Sequence, residues 1–113
     1  MLELKGKDIY HIRGDTGVLD LVLTFPEDTA HDQVEAVLSV KKSRDDEEYA
    51  FQIPCTKIEE DEDGTVRGQF IFTHACTKDL VPGNYLFDVE VRSGSSYATI
   101  GPHSYHLLAD ITR

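Results

Sequence analysis

The chain has no tryptophan, a single methionine and only two cysteines, and its 11 lysines and arginines face 21 aspartates and glutamates. Each shortage closes a class of function. The formal net charge of −10 repels phosphate backbones and anionic lipid surfaces, so nucleic-acid binding and membrane attachment are disfavoured. No apolar run approaches the roughly 20 residues that span a bilayer, which argues against membrane insertion. Residues 1–8, MLELKGKD, lack the apolar stretch of a secretory leader, so no signal peptide is expected and synthesis in the cytoplasm is. Cys55 and Cys76 stand 21 residues apart, neither in the expected second strand, and without a tryptophan for a bridge to pack on. Both read as free thiols in a reducing compartment.

The motifs of catalysis are missing as well. There is no Gly-x-Ser-x-Gly elbow and no glycine-rich phosphate loop. Cys76 has only His74 as a sequence neighbour, and Ser93, Ser95 and Ser96 belong to a turn. His103-x-x-His106 falls on opposite faces of a strand, so it makes no half of a zinc site. Asp61-x-Asp63-Gly64 invites a calcium loop, but counting from Glu59 puts Phe70 where the bidentate glutamate belongs. A solvated hairpin tip is the preferred reading. Arg13-Gly14-Asp15 spells an integrin-binding tripeptide, yet Gly14 in a polar stretch reads as a turn. The expectation is a protein that is not an enzyme, with no catalytic residue, no cofactor and no metal.

What the chain does have is period-2 alternation. At 113 residues with 40% hydrophobic content, it fits one domain with a real core, 1–113. Alternating segments are expected at Asp8 to Ile12, Val18 to Phe25, Gln33 to Lys42, Tyr49 to Ile53, Val66 to Thr73, Tyr85 to Arg92, Tyr97 to Ile100 and His103 to Ile111. A helix over Asp32 to Val40 is the competing reading of the third segment; clean alternation of Val34, Ala36, Leu38 and Val40 favours strand. Gly101-Pro102 marks a kink or bulge. Two acidic stretches, 45–48 and 59–63, hold nine of the 21 acidic residues and flank the same expected strand, so they belong at its opposite ends. Pro82, Gly83 and Tyr85 form a tight corner before a long strand, like the tyrosine corner of immunoglobulin-like sandwiches. The fold class expected is therefore all-β, an immunoglobulin-like β-sandwich of seven to eight antiparallel strands.

Four stretches carry a resemblance to a known family: Ile12-Arg13-Gly14-Asp15-Thr16 opening an alternating strand, Val34 to Lys41 as a strand ending in Val-Lys-Lys, Leu80-Val81-Pro82-Gly83-Asn84-Tyr85-Leu86-Phe87-Asp88-Val89 at the corner, and Ala109-Asp110-Ile111-Thr112-Arg113. In this order the chain resembles small phage and prophage proteins of immunoglobulin-like fold. It is similar to the N-terminal domain of baseplate upper proteins, with Phe87 where that family often has tyrosine. The resemblance implies a virion structural protein of a tail or baseplate, made in the host bacterium. Its partners would be other tail or baseplate proteins, or further copies of itself. The expected contact surface is the outer face of the late strand, Asp88, Glu90 and Arg92, with the loops at Asp15 and Asp61. The rival reading is a carbohydrate-binding sandwich using Tyr10, Tyr49 and Tyr97, residues that the alternation alone also allows in the core. A small bacterial adaptor is a third reading.

Overall fold

The computed structural model describes residues 2–24, 34–60, 64–94 and 96–111. Nine strands and one helical turn are present among them: β1 (Leu2–Lys5), β2 (Asp8–Ile12), β3 (Gly17–Thr24), β4 (Val34–Lys41), β5 (Phe51–Pro54), β6 (Thr56–Glu60), β7 (Thr65–Phe72), α1 (His74–Thr77), β8 (Gly83–Ser93) and β9 (Ser96–Leu108). They form a six-stranded sheet in the order β1-β2-β9-β8-β4-β5 and a three-stranded sheet in the order β3-β7-β6. This is an all-β architecture of two sheets, compatible with a sandwich.

Alternation decides which side chains meet. On β4, Val34, Ala36, Leu38 and Val40 are buried while Glu35 is exposed. On β8, Tyr85, Phe87, Val89 and Val91 are buried and Glu90 and Arg92 exposed. Val66, Phe70 and Phe72 of β7 close the core from the other sheet, with Leu19, Leu21 and Leu23 of β3 packed against it. Each fully buried large side chain is worth about 1.5–3 kcal/mol relative to exposure, so this shared interior holds the sheets together.

Three expectations need correction. The strands among the described residues number nine, not seven or eight, and they are not all antiparallel, since β2 lies parallel to β9. The early pair β1 and β2 forms a hairpin through Gly6, at φ 63°; four residues of strand were too few to stand out. Second, the stretch after Tyr49 is two strands in different sheets. β5 pairs with β4, and β6 pairs with β7. The acidic segments therefore flank a pair of strands that changes sheet, not one strand. Third, the strand expected to run to Thr73 stops at Phe72, where α1 begins after Thr73.

The change of sheet happens at Cys55. Its backbone N–H still donates to the Ala36 carbonyl at 2.8 Å, the last bond to β4. One residue later Thr56 is opposite Gln69 of β7. Gly68 makes room for this crossing. A Cβ there would stand 2.3 Å from Cys55 Sγ, far inside van der Waals contact. In the middle of the large sheet, β9 inserts one extra residue opposite β8 between Phe87 and Val89. Gly101 takes the bulge at φ 111°, where a Cβ would meet the Phe87 carbonyl at 3.1 Å. The kink expected at Gly101-Pro102 is this bulge.

Gly68→Ala is expected to destabilise the chain by about 1–3 kcal/mol, the usual cost of forcing an extra methyl into a packed site. Urea unfolding followed by circular dichroism measures it. Adding Cys55→Ala removes the colliding sulfur, so the double variant should lose less than the sum of the singles; strict additivity would show that the collision is not the cause.

Candidate functional site

The outer face of the six-stranded sheet gathers the polar side chains that alternate with the core. Pairing places them in rows. Glu35, Arg92 and Tyr97 lie opposite one another on β4, β8 and β9. The next row is Pro54, Val37, Glu90 and Thr99, and the next Gln52, Ser39 and Asp88. Lys41, Leu86 and Ser104 follow. Between these rows runs an open groove of about 450 Å³, with Tyr49, Gln52, Ser39, Asp88 and Pro102 in its walls.

Interactions along this face are those of a solvated surface. The Arg92 guanidinium pairs with the Glu35 carboxylate, both side chains well exposed. Gln52 Nε2 donates to Ser39 Oγ at 3.0 Å. Lys41 Nζ donates to the Asp46 carbonyl at 2.8 Å and sits 4.8 Å over the Tyr49 ring. Tyr10 stacks on His106 with centroids 4.4 Å apart, and His106 Nδ1 donates to Asn84 Oδ1 at 2.8 Å.

The sequence-derived site is split by the fold. Asp88, Glu90 and Arg92 share this face. Asp15 does not join them: it is half-buried in the turn after β2, beside α1, and its carbonyl is used internally. Asp61 lies outside the described residues. Pro82 and Gly83 precede the corner as expected, and Tyr85 Oη donates to the Val81 carbonyl at 2.6 Å. Sequence reasoning also allowed Tyr10, Tyr49 and Tyr97 in the core; Tyr97 is 64% exposed, Tyr49 is 49% exposed, and Tyr10 is on the outer face. Glu35 and Gln52 were missed, because only cross-strand register reveals them.

Among the described residues no three His, Cys, Asp or Glu side chains converge as a metal cluster. The thiols are free. Burial pushes Cys55 above its ordinary pKa, which suppresses the thiolate. His74 spends its Nδ1 proton on the Gly14 carbonyl at 2.8 Å, and Cys76 Sγ contacts Thr73 Oγ1 at 3.4 Å, so the two form no nucleophile–base pair. The Arg-Gly-Asp tripeptide is likewise tied down: Arg13 binds Asp110 at 2.8 Å, and Gly14 N–H donates to Thr77 Oγ1 at 2.7 Å.

Among the described residues, one buried titratable pair is tied into the fold. His11 and Tyr105 are fully buried. His11 Nε2 is 2.8 Å from the Asp15 carbonyl, which only accepts, so Nε2 carries the proton. Nδ1 then accepts from the Tyr105 hydroxyl at 2.6 Å. Burial favours the neutral imidazole and lowers its pKa to about 4. Comparison with protein-family models, curated proteins and solved structures finds no match to this chain.

The neutral His11 sets a pH dependence. Its folded pKa of about 4 lies below the ordinary 6.5, so between them the unfolded chain binds the extra proton. The stabilisation is whole above about pH 6.5 and is lost as pH falls toward 4, on the order of 3 kcal/mol in all. An NMR titration of the imidazole should find it neutral until about pH 4; titration at the ordinary histidine value would refute the buried tautomer.

Proposed function

We propose that this chain is an immunoglobulin-like, non-enzymatic assembly module of a bacteriophage tail or baseplate, working by protein–protein contact through the outer face of its six-stranded sheet. The observation that carries the contact surface is the set of rows across β4, β8 and β9. It offers tyrosine, valine and leucine among charges of both signs, which is the chemistry of a partner interface rather than of a reaction centre.

Strand order supports the immunoglobulin-like reading. In that fold, strands B, E and D neighbour one another in one sheet and C, F and G in the other. The orders β3-β7-β6 and β4-β8-β9 correspond, with Tyr85 and its bond to Val81 at the start of the strand equivalent to F. The tail assignment rests on the resemblance carried by residues 12–16, 34–41, 80–89 and 109–113. Partners in this reading are other tail or baseplate proteins, or further copies of the chain, and the finished protein resides in the virion.

A second reading, carbohydrate binding, draws on the exposed rings of Tyr49 and Tyr97, since sugar faces stack on such rings. Saccharide titration followed by tyrosine fluorescence separates the two: saturable quenching favours the sugar reading, and a flat response the assembly reading.

Particles purified from the producing strain should contain the chain in fixed proportion to other tail proteins by mass spectrometry. Arg92→Glu sets a second acid beside Glu35 on an exposed face, where stability changes by only about 0.5 kcal/mol or less. Its incorporation should nevertheless fall about tenfold, a loss of about 1.4 kcal/mol of contact. Full incorporation of the variant would rule out this face, and particles lacking the chain would rule out the assignment.

A further inference from the structure

The four sheet edges are not alike. An edge strand presents unpaired backbone N–H and C=O groups, and proteins blunt it with brevity, charge, proline or a bulge. β1 has four residues, two of them Glu3 and Lys5. β5 has four and ends on Pro54. β6 carries Lys57, Glu59 and Glu60 and breaks register between Thr56 and Glu59, with Lys57 at φ 53°.

β3 has only the least of these devices, a single charge. It runs for eight residues, pairs with β7 at every position without a break, and contains no proline and one charge, Asp20. Leu2 closes over its first residue, where a Cβ on Gly17 would stand 2.7 Å from Leu2 Cβ. From Val18 to Thr24, no described residue hydrogen-bonds to the edge away from β7. Leu19, Leu21 and Leu23 pack toward the core yet stay only partly buried. On the outer face Val18 and Val22, 51% and 55% exposed, bracket Asp20. Asp20 makes no ion pair among the described residues.

We propose that the open edge of β3 receives an extended strand from a basic partner protein, which becomes the fourth strand of the small sheet. Backbone hydrogen bonds supply the attachment, as in other strand additions. Alternate side chains supply the choice of partner: apolar residues on the inner face cover the leucine row, and a lysine or arginine on the outer face meets Asp20 between the two valines. A second copy fits less well. It brings another formal charge of −10, and β3 has no basic residue to answer Asp20. The proposal stands on sheet order and on the character of β3 alone, independent of the contact face assigned above.

The test titrates the full chain with a short acetylated and amidated peptide of alternating valine and threonine around one central lysine, followed by amide NMR. Saturable shifts and slowed amide exchange along β3 are expected. A peptide with glutamate in place of the lysine should bind about tenfold more weakly. Asp20→Lys, an exposed change opposite Gln69, should reverse that preference while its circular dichroism spectrum stays unchanged. The proposal is overturned by the absence of saturable binding, by shifts confined to β4 and β8, or by indifference to the charge at position 20. It is also overturned by a sedimenting dimer that Asp20→Lys disperses, which would assign the edge to a second copy.

Discussion

The hydrogen bond from Tyr105 to His11 is the contact on which the rest of the molecule is arranged. It joins the only parallel pair of strands among the described residues, β2 and β9, from inside the core. Tyr105 is also where the aromatic interior meets: Phe51 and Tyr85 approach it edge-on, and Phe72 approaches His11. The other imidazole nitrogen holds the Asp15 carbonyl, while Gly14 in the same turn binds Thr77 and His74 of α1. This buried pair and the turn it holds therefore connect β2 and β9, the crossing to β3 and the helical turn. A made hydrogen bond contributes about 0.5–1.5 kcal/mol, but stranding either buried partner costs about 1–3 kcal/mol. The larger figure governs here, since both partners are fully buried.

The buried groups are held in forms that resist reaction: His11 is kept neutral, and burial pushes both Tyr105 and Cys55 toward their protonated states. The outer face of the large sheet has the opposite character. Its charges are exposed and its rings accessible, so contacts there can be made and broken without disturbing the core. The edges divide the same way, with three blunted and β3 left regular. Exposed faces and one regular edge over a filled core are the features on which the proposed assembly role rests.

Much of the fold is legible in the amino-acid order because burial on one face imposes alternation. Val34 to Val40 and Tyr85 to Val91 declare their inward faces directly, and that same pattern sets Asp88, Glu90 and Arg92 on one surface. Tyr85 announces its corner because proline and glycine precede it at short range. The crossing at Cys55 stays hidden: Phe51 and Ile53 alternate as one strand would, and only the partners of β5 and β6, Val37 to Val40 and Val66 to Gln69, separate the sheets. The parallel pairing of β2 with β9 spans almost the whole chain, so no local pattern encodes it. The groove beside Asp88 has the same origin, since it needs Gln52 and Ser39 brought across from other strands. Asp15, polar and next to a glycine, reads as an exposed turn residue; its carbonyl turns inward because buried His11 needs an acceptor.

Hydroxyl-radical footprinting of the chain, free and within purified particles, tests the assembly account most directly. Tyr97, Tyr49 and Leu86 all belong to the outer face or rim of the large sheet and are open to reagent to different degrees in the free chain. The account predicts that Tyr97 and Tyr49 lose most of their labelling in the particle, while Val81, exposed beside the Tyr85 corner, keeps its own. Unchanged labelling of both tyrosines in the particle would contradict it.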